Sequence, residues 1–561
     1  MRPSLASLLS AATLASLLAA APAAADPFDD LARDVWAWRA ATQPSSGDDI
    51  PRIDRPDGWL PDWSAAAVTA RRATLAQLTT RYAAIDPAAW PVPRQVDFRL
   101  IGSVLARVRW ELDGAPAWRR DPAFYIQQAL GPVFDVLLPV PPVSAARADL
   151  VIARLGHVTR IVAQAKANLD DARAPFARLA IDTLADIDAR LTTLARELDA
   201  AVPSHAGRFA APATSAATAL VDLRRWLEGR VATMTADTTV GRDAYVRFLR
   251  EVALVPYTPD EIVAMGRHEW ERAVAFEALE QGRNRALPQL PIFPNASTQV
   301  TTAAVQEQAI RQFLEREGLL TVPAGVRHYR NHLLPPYLAP LAFLGVTDDL
   351  TGPTRLTDDG VSYIREPRAD LPYFYLSTAR DPRPIIVHEG VPGHYLQLVL
   401  SWTHENPIRR HYYDSGANEG IGFYAEEMML QAGLWHESPR SREIIYNFAR
   451  LRALRVEVDV KLATGVFTIP QAAEYLEKTV PMDRATALEE AASFAAGPGQ
   501  GITYQIGKLQ ITSLLADARR AQGERFSLRA FHDFVWKNGN VPLALLRWEL
   551  LGDRRDLDRL R

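Results

Sequence analysis

A proline followed by a glycine, Pro392-Gly393, interrupts a stretch that otherwise suits a helix, from the apolar Ile385-Ile386-Val387 to Tyr395-Leu396-Gln397. A regular helix cannot run through this pair. The proline ring clashes with the carbonyl four residues earlier, here that of His388, and offers no N–H. Gly393 then tolerates almost any dihedral. The interruption falls between the two histidines of HEGVPGHYLQ, His388 and His394, with Glu389 beside the first. On an unbroken helix, at roughly 100° per residue, His394 would face about 120° away from His388. The sequence therefore predicts a helix that begins before His388, widens across Gly390 to Gly393, and resumes near His394 with its imidazole turned back toward the first. Such widening is common at functional sites. The bland alternative is a helix break carrying two incidental histidines.

In the zinc pattern H-E-x-x-H, two imidazoles four residues apart share one helix face and the glutamate holds a water. The longer spacing here departs from that pattern. A second cluster, NEGIGFYAEE from Asn418 to Glu427, supplies a carboxylate in Glu419. The interval after His394 leaves room for one helix to finish, a loop containing Asn406-Pro407, and a second helix. Two histidines and one glutamate leave a fourth zinc position open to water, as catalysis requires. Glu426, one to two turns beyond Glu419, is expected to orient a ligand histidine, and it is also the alternative third ligand. A solvated acidic face is the plain alternative for both glutamates. With no cysteine in the chain, disulfides and thiolate ligands are excluded, so any zinc must be held by histidine and carboxylate.

At 561 residues the chain is too long for one compact domain and predicts two or more lobes. A formal charge of −3 and a pI near 6.4 give no basic footprint for nucleic acid. Residues 1–25 have a basic start, an apolar middle and a small-residue end at Ala23-Ala24-Ala25, which together read as a secretion signal cut before Asp26. This predicts a periplasmic or secreted protein. No later apolar run reaches the ~20 residues of a membrane helix, and without cysteine there is no lipid attachment site. Residues 26–285 form a helical region, with helix-period patterns over Leu150 to Leu169, Ala174 to Leu198 and Thr214 to Met234. Residues 286–561 carry the metal segments, the two regions being intertwined. Oligomeric state is not legible.

Thr258-Pro259-Asp260-Glu261 should open a helix that runs to about Arg283. His328 and His332 have the regular helical spacing, but no glutamate follows the first and Pro335-Pro336 would end any helix. VSYI (361–364) and YFYLS (373–377) read as short strands. Arg440 to Leu462 reads as a long helix, and Ile469-Pro470-Gln471 starts another. Gly497-Pro498-Gly499-Gln500-Gly501 has the wrong glycine spacing for a phosphate loop, and Lys508 lacks the following Ser or Thr. No G-x-S-x-G elbow is present.

Four blocks together, HEGVPGHYLQ, NEGIGFYAEE, GPGQGITYQIGKLQI (497–511) and FSLRAFHDFVWKNGNVPL (526–543), make the chain resemble the bacterial family known as domain of unknown function 885. Its members are regarded as relatives of the zinc metallopeptidases. The resemblance implies a mainly α-helical, two-lobed, metallopeptidase-like fold with a small β-sheet beside the active-site helix and a deep channel. It implies one Zn²⁺ on His388, His394 and Glu419, Glu389 as general base, and Tyr504 as the phenol aimed at the developing oxyanion. In zinc peptidases an edge strand usually precedes the metal helix and binds extended substrate, which gives that role to Tyr373, Phe374 and Tyr375. The expected function is a zinc-dependent peptidase acting on peptide substrates. The alternatives are a non-catalytic periplasmic binding protein and a zinc amidohydrolase acting on a non-peptide amide.

Overall fold

The computed structural model describes residues 26–46, 53–480 and 482–560. The leader, 1–25, lies outside the described residues. The chain is mainly α-helical, with one three-stranded sheet. None of the described helices is long and apolar enough to cross a membrane.

Helix starts follow local chemistry. Thr258 caps Pro259–Asn284 through a reciprocal capping box with Glu261, and Pro259 occupies the first turn, where its missing N–H costs nothing. The helix-period stretches of the amino-terminal region become Ala145–Asn168, Ala174–Thr183, Ile187–Ala201 and Ala210–Glu228. The expected run from Ala174 to Leu198 is thus two helices, separated by a turn at Leu184 to Asp186. Arg440 to Leu462 falls within Pro439–Ala463, and Ile469 opens Ile469–Thr479. The loop expected at Asn406-Pro407 holds a short helix, Pro407–His411, capped by the Asn406 side chain.

Four apolar cores organise these helices, and the two largest join both halves of the chain. One gathers the amino-terminal bundle, including Tyr125, Leu155, Leu191 and Leu220, with Tyr337, Val361 and Tyr363 from the second half of the chain. The other surrounds the histidine and glutamate segments and takes in Phe28, Leu31 and Ile101 from the first helices. Apolar packing therefore crosses position 285 in both directions.

The sheet has the order β1 (Tyr329–Leu333), β3 (Gly360–Ile364), β2 (Asp348–Asp349). β1 runs parallel to β3 with Tyr329 opposite Gly360, and β2 runs antiparallel with Asp348 opposite Ser362. VSYI is a strand, as its pattern predicts, and the structure places it at the centre of the sheet. YFYLS is not a strand: Tyr373–Thr378 is a short helix. Pro372 precedes it as the N-cap residue, where its missing N–H takes nothing from the helix. Tyr373 and Phe374 bury their rings against Phe448 of the 439–463 helix, not against a paired strand. His328 and His332 lie at the start of β1 and within it, where four residues span roughly 13 Å. His328 Nδ1 bonds Glu307 Oε2 at 2.9 Å, so this pair shares no ion.

Candidate metal centre

The histidine segment does not pass smoothly from helix to helix. A short α-turn, Arg383–Ile385, becomes a π-turn over Ile386–Gly390, closed by Val391 N–H donating to Ile386 C=O at 2.9 Å. Val391 is extended, Pro392 follows, and the helix resumes as His394–Trp402. The widening thus begins at Ile386, before the expected Gly390. Gly393 is required by close approach: a Cβ there would lie 1.7 Å from the His388 carbonyl oxygen. The detour brings the two imidazoles together, their centroids 4.7 Å apart and their planes at 79°.

The helix Ser415–Ala432 supplies the carboxylate. Asp414 caps it by accepting from Ala417 N–H at 3.0 Å. Asn418 donates to Gln397 Oε1 at 2.8 Å, tying this helix to the histidine helix through two fully buried side chains. Glu419 Oε2 then lies 3.3 Å from Nε2 of His388 and 3.3 Å from Nε2 of His394. Gly422, one turn on, makes the space for both rings: a Cβ there would sit 2.8 Å from His394 Cε1 and 2.9 Å from His388 Cε1.

The donor set fits a zinc-like ion. Ligands about 2.0–2.1 Å from a tetrahedral zinc stand roughly 3.3–3.4 Å apart, which matches both nitrogen–oxygen separations. One ligand atom from each of His388, His394 and Glu419 lies within 4.8 Å of the other two. Neither ring nitrogen of His394, nor Glu419 Oε2, has a hydrogen-bond partner, although all are buried. Unpaired buried polar atoms are costly, and two that converge, Nε2 of His394 and Oε2 of Glu419, indicate a group that pairs with them.

Electrostatics agree. Burial raises the Glu419 carboxyl, but His394 and His388 outweigh it and hold the group well below the usual carboxylate range. Burial and the Arg452 guanidinium push the His388 imidazole down, yet Glu419 and Glu426 prevail and hold it up at about 9. A ring between two carboxylates favours positive charge, which a proton or a metal ion supplies.

Glu426 does not face the second histidine. Its Oε1 lies 2.7 Å from His388 Nδ1 and 2.9 Å from Arg452 Nη2. Glu389 is the most open of the group, its side chain 22 % exposed, 3.9 Å from Nε2 of each histidine. Tyr504 begins the helix Thr503–Gln522, its ring nearly parallel to that of His388 with centroids 6.3 Å apart. Arg455 lies over the Tyr504 ring at 4.6 Å. The glycine-rich turn before it wraps a carboxylate: Asp459 accepts from Gly499 N–H at 3.0 Å and Gly501 N–H at 2.6 Å. Those amides, which a phosphate loop would offer to a ligand, are already used. Tyr373, Phe374 and Tyr375 are each half-buried.

Arg452, Gly422 and the Gln397–Asn418 pair escape sequence reasoning. Arg452 lies in the stretch that reads only as a long helix, and only folding brings it to Glu426. Gly422 carries a faint signal, as a second glycine two residues after Gly420 in a helix.

The fold and site define a mainly helical protein with a buried two-histidine, one-glutamate cluster able to hold a metal. The chain belongs to the family described as bacterial protein of unknown function (DUF885), whose profile matches residues 41–284 and 365–550. No curated protein matches it. Two solved structures share the fold at 17 % identity. A candidate lipoprotein of unknown function from Shewanella oneidensis superposes with a TM-score of 0.67, covering 94 % of this chain and 98 % of its own. A candidate lipoprotein from Colwellia psychrerythraea superposes with a TM-score of 0.74, covering 94 % and 99 %.

Proposed function

We propose that this protein is a metal-dependent hydrolase of peptide bonds, acting in the periplasm or outside the cell. The observation that carries the reading is the convergence of unpaired, buried Nε2 of His394 and Oε2 of Glu419 with Nε2 of His388, beside the partly open carboxylate of Glu389. A zinc ion on His388, His394 and Glu419 would acidify a water and polarise a carbonyl.

The chain's own residues then divide the work. Glu389 takes the proton of the attacking water and delivers it to the leaving amine, a general-base role worth about 10²–10⁴-fold. Tyr504 donates a hydrogen bond to the carbonyl oxygen as charge builds on it. Glu426, paired with Arg452 and 2.7 Å from His388 Nδ1, would hold a proton on that nitrogen and leave Nε2 for the ion.

Because Tyr373–Thr378 is helical, the extended substrate is assigned to β1 instead. Among the described residues β1 has a strand partner on one side only; Glu307 accepts its Tyr329 N–H at 3.3 Å, so the edge left for substrate lies beyond Tyr329, whose ring packs against Gly390 at the end of the metal turn. Tyr373, Phe374 and Tyr375 are left with side-chain contacts to substrate.

Metal analysis and digestion of a peptide library by wild type and Glu389→Gln test the proposal. The variant should keep its metal and lose turnover about 10²–10⁴-fold. Undiminished cleavage by the variant removes Glu389 from the role. A wild-type chain that takes up no divalent ion removes the reading.

A further inference from the structure

The last block of the resemblance, 526–543, has no part in the chemistry above, yet its helix Leu528–Lys537 touches both halves of the metal centre. We infer that Trp536 is a positioning residue for the metal ligands and that this helix is a bracket setting the distance between the histidine loop and the glutamate helix. The inference rests on the metal reading of the site.

The first arm is one hydrogen bond. Pro392 precedes the helix cap Gly393, so its carbonyl has no partner within the helix that follows. Trp536, fully buried, donates its indole N–H to that carbonyl at 2.6 Å. An indole nitrogen can only donate, and a buried carbonyl deprived of its donor is left with an unmet desolvation penalty. The bond therefore pins the loop between His388 and His394.

The second arm leaves the same helix one turn earlier. His532 Nδ1 lies 2.7 Å from the Leu319 carbonyl, which can only accept, so the ring proton sits there and Nε2 accepts from the Tyr424 hydroxyl at 2.8 Å. Tyr424 belongs to the helix that carries Glu419. The Trp536 ring packs edge-on against both, with centroids 5.7 Å from His532 and 6.3 Å from Tyr424. His532 and Trp536, four residues apart, share one helix face. A rigid face thus grips the histidine loop by Pro392 and the glutamate helix by Tyr424.

The test is the Zn²⁺ dissociation constant of the metal-free full chain, measured by chelator competition for wild type, Trp536→Phe and Trp435→Phe. Trp435 is equally buried in the same core, but its indole nitrogen bonds nothing. Trp536→Phe should weaken zinc binding about 10–100-fold, as loss of outer-shell support does elsewhere. Trp435→Phe should leave zinc affinity unchanged, whatever it does to the melting temperature. A folded Trp536→Phe chain with wild-type affinity, or an equal loss in both variants, overturns the inference while leaving the metal site standing. If Trp536→Phe does not fold, 3-benzothienylalanine at 536 replaces the N–H by sulfur at nearly the same shape, and the same comparison decides. A wild-type chain without zinc affinity overturns both the proposed function and this inference.

Discussion

Nδ1 of His388 lies 2.7 Å from Glu426 Oε1, on the ring nitrogen that Glu419 does not approach. The arrangement separates two glutamates seven residues apart on one helix: Glu419 meets both imidazoles at Nε2, and Glu426 meets one imidazole from behind. Glu419→Ala should therefore abolish metal binding, whereas Glu426→Gln should lower affinity only about 10–100-fold. Because Arg452 loses its buried partner, Glu426→Gln should also cost roughly 3 kcal/mol of stability. Isothermal titration with Zn²⁺ and denaturant unfolding check both; metal loss from Glu426→Gln with retention in Glu419→Ala would exchange their roles.

Gly422 gives a second prediction. An alanine in a helix normally adds about 1 kcal/mol over glycine. Here the added methyl would sit 2.8 Å from one ligand ring and 2.9 Å from the other. Gly422→Ala should thus weaken zinc binding at least tenfold by forcing the imidazoles apart. Unchanged affinity by chelator competition would mean that the rings have more room than their positions indicate.

The helices bearing Glu419 and Tyr504 cross at glycine on glycine. A Cβ on Gly507 would lie 2.1 Å from the Gly416 carbonyl oxygen and 2.7 Å from Gly420 Cα, all backbone atoms that no rotamer change can relieve. Gly507→Ala should cost roughly 3 kcal/mol or more, against the sign of helix propensity. A denaturant midpoint within error of wild type would show that the crossing opens at no cost.

A fourth prediction concerns pH. Burial raises the Glu427 carboxyl, but Lys508 and Arg272 overcome this and hold it at about 2, against 4.5 for the free group. Lys508 Nζ lies 2.7 Å from Glu427 and 2.8 Å from Glu269. A depressed folded value means that the unfolded chain binds the proton first, so the contribution is complete above about pH 4.5 and disappears as pH falls toward 2. The stability difference between wild type and Glu427→Gln should be on the order of 2–3 kcal/mol near pH 6 and should shrink as acid is added. A difference that stays constant between pH 6 and pH 3 would refute the assignment.

Much of the helical content was legible because its signals are local. The Thr258 box, the run of the 439–463 helix and the break at Pro392-Gly393 each depend on neighbours within one or two turns. YFYLS misled for the same reason: aromatic residues favour strands, but Pro372 and the distant Phe448 made a helix the better burial. Propensity is weak where tertiary packing can outbid it.

By itself, the sequence determined that His388 and His394 could not share a regular helix, that no thiolate could hold a metal, and that proline and glycine must bend the chain between the two rings. These follow from covalent geometry and composition, which need no partner. Only the tertiary structure decided that Glu419 faces both imidazoles and Glu426 only one, that Arg452 stands behind them, and that Trp536 bonds the Pro392 carbonyl. Those contacts join residues far apart in the chain, and their geometry is set by how helices cross, which no local pattern encodes.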